Sequence, residues 1–368
     1  MMKFVEMKIY RMKLPLAQSF SNSQTTLTYR RFDLVRLTTT TGEVGWGETV
    51  AFETPWYTSE TVTTCHDALV NYIWPLIRNK EIADPKALNL ILNKLKGHHM
   101  ARSAVETSFW GIYAEKNKQP LYRLLGSDNA AVAVGISLGM NNLEDLMQEV
   151  QAAVEKGYTR VKIKIKPGWD ILPVQTIRQS YPHLKLMVDA NGAYDLADVE
   201  VFKALDAYDL EMIEQPLGDD DFINHAKLQR IIRTKICLDE NIHSIEDVKV
   251  AHQLGSARAI NLKWARVGGL FNALEIIQYC QKHGLLVWCG GMFESGVGRS
   301  YNLALASLEG LDFPGDISES SRYWSEDIVE QPQKLVEGRL LIPKISGAGF
   351  NISKKRVEKY SEKIESFI

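Results

Sequence analysis

The sequence predicts an α/β protein, a modified TIM barrel of seven βα units plus a final strand, carrying an α+β capping domain. Three observations lead there. Short apolar runs rich in Val, Ile and Leu recur from Val161 to Lys263, in the manner of strands buried on both faces. Each run ends on or near a polar residue, and these residues, Lys164, Asp189, Glu214, Asp239 and Lys263, follow one another at steps of 24 or 25. A repeat of that length holds one strand, two short loops and one helix, and successive parallel units of this kind close into a barrel.

In chain order, residues 3–14 and 31–37 alternate apolar and polar residues like strands, and Thr41-Gly42 reads as a turn into V-G-W-G-E, Val44–Glu48. Residues 15–24, P-L-A-Q-S-F-S-N-S-Q, are polar and without periodicity, which reads as a mobile lid loop. From Thr58 to about Lys118 the pattern is helical, with Val105, Phe109, Ile112 and Tyr113 on one stripe. Strands followed by helices predict a separate capping domain over residues 1–128.

The barrel is expected over residues 129–321. Residues 132–138 read as its first strand, and a helix follows with Leu143, Leu146, Met147, Val150 and Val154 on one face and Gly157 as its stop. The five polar residues mark the next five strands, 285–289 the seventh and 313–317 a short eighth. Residues 322–368 are expected to return to the cap, with R-L-L-I-P at 339–343 as the returning strand.

Composition excludes several classes of function. A formal net charge of −2 offers no nucleic-acid or membrane surface. No run of 18 uncharged apolar residues appears, and the alternating start M-M-K-F-V-E-M-K-I-Y does not read as a signal peptide. Cys65, Cys237, Cys280 and Cys289 lack metal-type spacing, and two of them fall inside expected buried strands. A cytoplasmic protein is expected, acting on a small-molecule carboxylate, with a homo-oligomer as its assembly.

Polar residues at the C-terminal strand ends of a barrel meet around its mouth. Three carboxylates brought together there would repel one another unless a cation intervened. Asp189, Glu214 and Asp239 are therefore the expected ligands of a hard divalent ion, Mg²⁺, with Mn²⁺ or another divalent ion as substitute. Lys164 and Lys263, on the second and sixth strands, would face a metal-bound substrate from opposite sides as general acid and base. Lys162 shares a strand face with Lys164 and can supply a like charge that favours its neutral form. Such a site suits proton removal beside a carboxylate, with the metal stabilising the enediolate. A single strand-end Asp is usually a salt bridge, but five residues in phase with the barrel repeat are a far more specific signal.

K-I-K at 162–164, D-A-N at Asp189, E-Q-P at Glu214, L-D-E at Asp239 and N-L-K-W-A-R-V-G-G at 261–269 resemble the enolase superfamily, in its muconate-lactonising-enzyme subgroup. G-W-G-E, P-W-Y-T-S-E-T, K-P-G-W-D, G-G-M-F-E-S-G-V-G-R and F-P-G-D-I-S-E-S are similar to the o-succinylbenzoate synthase / N-succinylamino acid racemase family. The resemblance implies the same metal ligands and lysine pair. It also implies substrate-pocket positions at Ser137, Asn191, Gly291, Met292, Asp316 and Ser318, with Phe20 in a supporting place.

The activity implied is that of a carbon–oxygen lyase. It is the syn-dehydration of 2-succinyl-6-hydroxy-2,4-cyclohexadiene-1-carboxylate in menaquinone biosynthesis, accompanied by N-succinylamino acid racemisation. The alternatives are a dedicated N-acylamino acid racemase, a dipeptide epimerase or cycloisomerase, and a non-catalytic metal-binding barrel. Arg266, three residues after Lys263, resembles the racemase-competent members, and its fixed charge would favour a neutral Lys263. The stretch S-F-S-N-S-Q departs from the family's P-F-x-T-S-[FY]-G pattern.

Overall fold

The structure is a computed structural model that describes residues 1–21, 25–311 and 313–368. Strand β1 (Met2–Ser21) pairs antiparallel with β2 (Thr26–Thr39), which pairs with β3 (Val44–Glu48). The buried positions on β1 are Phe4, Met7, Ile9, Met12 and Leu14. Alternation breaks between Phe4 and Met7, where β1 carries an extra residue against β2, and again between Ile9 and Met12, beside a shift at which the extra residue lies on the strand 361–367. Helix His99–Lys116 lies directly on β3. A Cβ on Gly45 or Gly47 would overlap the carbonyl oxygens of Ser108 and Ala104, so the glycines of G-W-G-E permit that close approach.

The stretch read as a mobile loop is largely strand. Residues 15–21 continue β1, and Phe20 pairs with Leu27 beyond a second irregularity; residues 22–24 lie outside the described residues. Local polarity suggested a loop, but pairing with β2 satisfies this backbone. β4 (Glu81–Ile82) pairs with the start of β1.

The stretch read as the first barrel strand is split in two. β5 (Ala131–Ala133) leaves the barrel, and β6 (Ile136–Leu138) opens it. β7 (Arg160–Lys164), β8 (Lys185–Asp189), β9 (Ile213–Glu214), β10 (Ile236–Leu238), β11 (Ala259–Leu262) and β12 (Leu286–Cys289) follow as one parallel sheet in sequence order. Helices such as Leu143–Glu155, Ile245–Leu254 and Leu270–His283 alternate with them. Among the described residues the parallel sheet has seven strands. The expected eighth, 313–317, is an irregular segment with a bridge between Val134 and Gly315. Pro314 has no N–H to give to a ladder.

Inside the barrel Met187, Met212, Cys237, Ala259 and Trp288 form an apolar cluster of their own, the floor beneath the mouth. β13 (Leu335–Val336) and β14 (Arg339–Leu341) form a small sheet with β5, so R-L-L-I-P pairs there and not with the cap sheet. It is β15 (Ser361–Phe367) that joins the cap sheet, alongside β1. All four cysteines are free and buried. Among the described residues no helix is long and apolar enough to cross a membrane.

Two buried glutamates fasten the cap to the barrel. Glu106, on helix His99–Lys116, accepts from the N–H groups of Leu270 and Phe271, both at 2.9 Å, in the first turn of Leu270–His283. Glu48, at the end of β3, accepts from the Ser295 N–H at 2.9 Å and from its hydroxyl; Ser295 caps helix Gly296–Ala306. Both put a carboxylate where unpaired N–H groups and the helix dipole favour negative charge.

Candidate active site

Parallel register assembles the site. Lys164 is paired with Asp189, and Asp189 with Glu214. Glu214 is paired with Cys237, so Asp239 stands one inward-facing step higher, just past β10, and Lys263 just past β11. On β7 the alternation of strand faces turns Arg160, Lys162 and Lys164 all into the barrel. The mouth is a cleft lined by Lys162, Lys164, Asp189, Asp239 and Lys263 among others.

Asp189, Glu214, Asp239 and Asp316 each meet a cation. Lys164 Nζ lies 2.6 Å from Asp189 Oδ2 and donates to Asn191 Oδ1 at 2.7 Å. Asn191 holds a left-handed backbone, φ 45°, and its amide donates on to Glu240. Across the cleft Lys263 Nζ is 2.7 Å from Asp239 Oδ2, and Arg266 is 2.6 Å from Asp239 Oδ1. Tyr57, reaching down from the cap, accepts from Lys263 and from Arg266, both at 2.6 Å, and donates to Asp239 at 2.9 Å.

Lys162 is not the free like charge expected beside Lys164. Its ammonium stands 2.5 Å from Asp316, 3.0 Å from Glu214 and 3.2 Å from Asp189, so three carboxylates offset it. Burial opposes its charge, but Asp316, Glu214 and Asp189 together hold its pKa well above the ordinary lysine value. Burial and then the neighbouring Asp189 push the Glu214 carboxyl up. At Asp239 burial acts the same way, but Arg266 and Lys263 prevail and hold it low.

Among the described residues no three His, Cys, Asp or Glu side chains stand as a ready metal cradle. The lysines and Arg266 occupy the carboxylate oxygens that would face an ion. The donor set nevertheless fits one. Asp189, Glu214 and Asp239 are buried oxygen donors on consecutive strand ends, the chemistry a hard divalent cation takes. Asp239 Oδ1, for all its closeness to Arg266, receives no well-aligned hydrogen bond.

Of the remaining expected residues, Phe20, Ser137, Asn191, Gly291, Met292 and Asp316 line the cleft. Ser318 does not. It is buried behind the wall, its hydroxyl without a hydrogen-bond partner, and Ile317 lines the cleft beside it. Asp316 is tied down by Arg160 at 2.7 Å as well as by Lys162. Arg266 is buried away from the cleft and bonds to Asp239, Tyr57 and the Ile242 carbonyl.

Sequence reasoning missed an aromatic wall. Phe293 packs on Phe20 at 4.8 Å, on Tyr323 at 4.9 Å and on Phe52 at 6.5 Å between ring centroids. Trp56 and Tyr57 continue it. The aromatic spelling of P-W-Y was visible; that four distant segments, at Phe20, Phe52 to Tyr57, Phe293 and Tyr323, converge was not.

Two family models match, described as the mandelate racemase / muconate lactonizing enzyme N-terminal domain over residues 4–126 and the enolase C-terminal domain-like family over 145–356. The chain is 47% identical to an o-succinylbenzoate synthase of Enterococcus faecalis, over 98% of this chain and 99% of the relative. It is 40% identical to an N-succinylamino acid racemase of Thermus thermophilus, over 95% and 94%. A crystal structure of an enolase-superfamily member from Listeria innocua superposes with a TM-score of 0.98 at 43% identity, covering all of both chains. A dipeptide epimerase from Cytophaga hutchinsonii, complexed with Mg and D-Ala-L-Val, superposes with a TM-score of 0.91 over all of both chains at 20% identity, a likeness of fold.

Proposed function

The chain belongs to the mandelate racemase / muconate lactonizing enzyme family of the enolase superfamily, and from that premise we propose that it is a Mg²⁺-dependent o-succinylbenzoate synthase that also racemises N-succinylamino acids. The observation that carries the reading is the pair of lysines on opposite flanks of one cleft, with three buried carboxylates on the strand ends between them.

In the dehydration Lys164, as the free amine, takes the α-proton of the substrate carboxylate, breaking the C–H bond and leaving an enediolate. The electron pair returns to form the ring double bond as the C–OH bond breaks. The hydroxyl leaves as water with the proton Lys164 returns, so one base serves a syn elimination. Asn191 accepts from the Lys164 nitrogen at 2.7 Å and so orients it within the cleft. Lys263 keeps its charge throughout and stabilises the enediolate from the other face. Asp189, Glu214 and Asp239 would hold a divalent cation, which would supply charge offsetting that of the enediolate. The test is Lys164→Ala. Loss of dehydration by about 10⁴-fold in a folded protein is expected; turnover near the unaltered rate would refute the assignment.

Racemisation needs a proton carrier on each face, so Lys263 must also cycle. The arrangement favouring it is the sharing of Asp239 between Lys263 and Arg266. Arg266 keeps its charge beside Asp239 at any working pH, so Lys263 can give up its proton without leaving Asp239 without a cation. Arg266→Gln is expected to slow α-proton exchange on the Lys263 face about 10-fold more than it slows dehydration. An equal fall in both, or no racemisation by the unaltered protein, would defeat this second activity. We assign the reaction to the cytoplasm, in line with four buried free thiols.

A further inference from the structure

We propose that Arg160 and Arg299 are positioning residues for the substrate wall at 313–318, two buried guanidiniums standing in for the hydrogen-bond ladder of a missing eighth strand. The inference rests on the reading that the cleft at the barrel mouth binds substrate. Between β12 and β6 the barrel is bridged by an irregular segment. Its backbone bonds to those flanks include Gly135 N–H to the Gly315 carbonyl at 2.8 Å and Asp316 N–H to the Cys289 carbonyl at 3.1 Å. A paired strand would be tied along its whole length on both sides.

Arg160 holds the lower end of the segment. Its Nε and one terminal nitrogen donate to the Pro314 carbonyl at 3.1 and 2.7 Å, and its other terminal nitrogen lies 2.7 Å from Asp316. The side chain is fully buried and lies over the rings of Trp288 and Phe313, at 5.4 and 5.8 Å. The chain makes room for it: a Cβ on Gly135 would overlap the guanidinium, and it is at Gly135 that β5 and β6 part.

Arg299 holds the upper end. It is buried on helix Gly296–Ala306, donates to the Ser318 carbonyl and to the Glu294 carbonyl, the latter at 3.1 Å, and lies 5.1 Å from the Tyr323 ring. Between the two clamps Asp316 and Ile317 face the cleft. A planar fork of donors can hold a carbonyl and a second acceptor at once, which a lysine ammonium on the same stem cannot reproduce. The wall therefore takes its position from two side chains, of which Arg160 also meets Asp316 and Arg299 also lines the cleft.

The test uses the full chain with Arg160→Met, Arg299→Met and the corresponding lysine variants. Amide exchange of segment 313–318 is followed by mass spectrometry, and KM and kcat are measured for the dehydration. In Arg160→Met, exchange of the segment should quicken about 10-fold while β8 to β10 stay protected. KM should rise about 10-fold with kcat changed by less than about 3-fold, and lysine should not restore either. Unchanged exchange, exchange quickened evenly through the barrel, or restoration by lysine would overturn the inference. If Arg160→Met does not fold, Arg299→Met decides the same question at the other clamp. An unaltered protein that turns over neither substrate would sink the proposed function, while the exchange readout would still decide whether the clamps exist.

Discussion

At the barrel mouth Asp189, Glu214 and Asp239 meet ammonium and guanidinium groups carried on long side chains; at the seam between cap and barrel Glu48 and Glu106 meet backbone N–H groups at the starts of two helices. All five carboxylates are buried. A backbone N–H cannot leave its partner without unwinding the helix, so the seam is fixed. A lysine swings on a flexible four-carbon stem, so the mouth can exchange its lysines for a cation and a substrate. Equal burial thus serves opposite ends, and the mobility of the partner tells them apart.

Glu214→Gln should expose the contrast most sharply. It removes a ligand of the proposed cation and one of the charges that repel Asp189. Turnover should fall by about 10³-fold or more, while thermal stability stays level or rises. A melt lowered as much as the activity would merge the mouth with the seam.

Glu106→Gln should do the reverse. The new amide turns a donor toward N–H groups of Leu270 or Phe271, at a cost of about 1–3 kcal/mol in denaturant unfolding, with kcat kept within about 3-fold. An intact melt with lost activity would break the comparison from the other side.

The smallest expected effect is one of pH. Burial pushes the Glu48 carboxyl up to about 8 and that of Glu106 up to about 7. The folded protein thus holds these protons more tightly than the unfolded chain, where a glutamate titrates at about 4.3. Their contribution is fully present below the unfolded value and is lost as pH rises through about 7 and 8. Tm should decline from pH 5 to pH 8.5, and Glu48→Gln should flatten that decline by about 2–4 °C. A decline unaltered in that variant would remove Glu48 from the account.

The mouth was legible in the sequence because a βα repeat places one residue at each strand end, so Lys164, Asp189, Glu214, Asp239 and Lys263 declare themselves by spacing. The seam was not, because Glu48 and Glu106 find their partners 247 and 164 residues away. Tyr57 and the rings around Phe293 escaped for the same reason. The loop reading of residues 15–21 failed on local polarity, since S-F-S is spelled like a loop yet is held by β2. The eighth strand failed on Pro314, which a count of apolar residues reads as neutral although it withdraws a ladder donor.

The most direct test of the exchangeable mouth is a calorimetric Mg²⁺ titration of the unaltered protein, Glu214→Gln and Glu106→Gln side by side. The unaltered chain should bind a single ion, Glu106→Gln should bind it as well, and Glu214→Gln should lose it. Binding that survives Glu214→Gln, or that falls equally in both variants, would contradict the division drawn between mouth and seam.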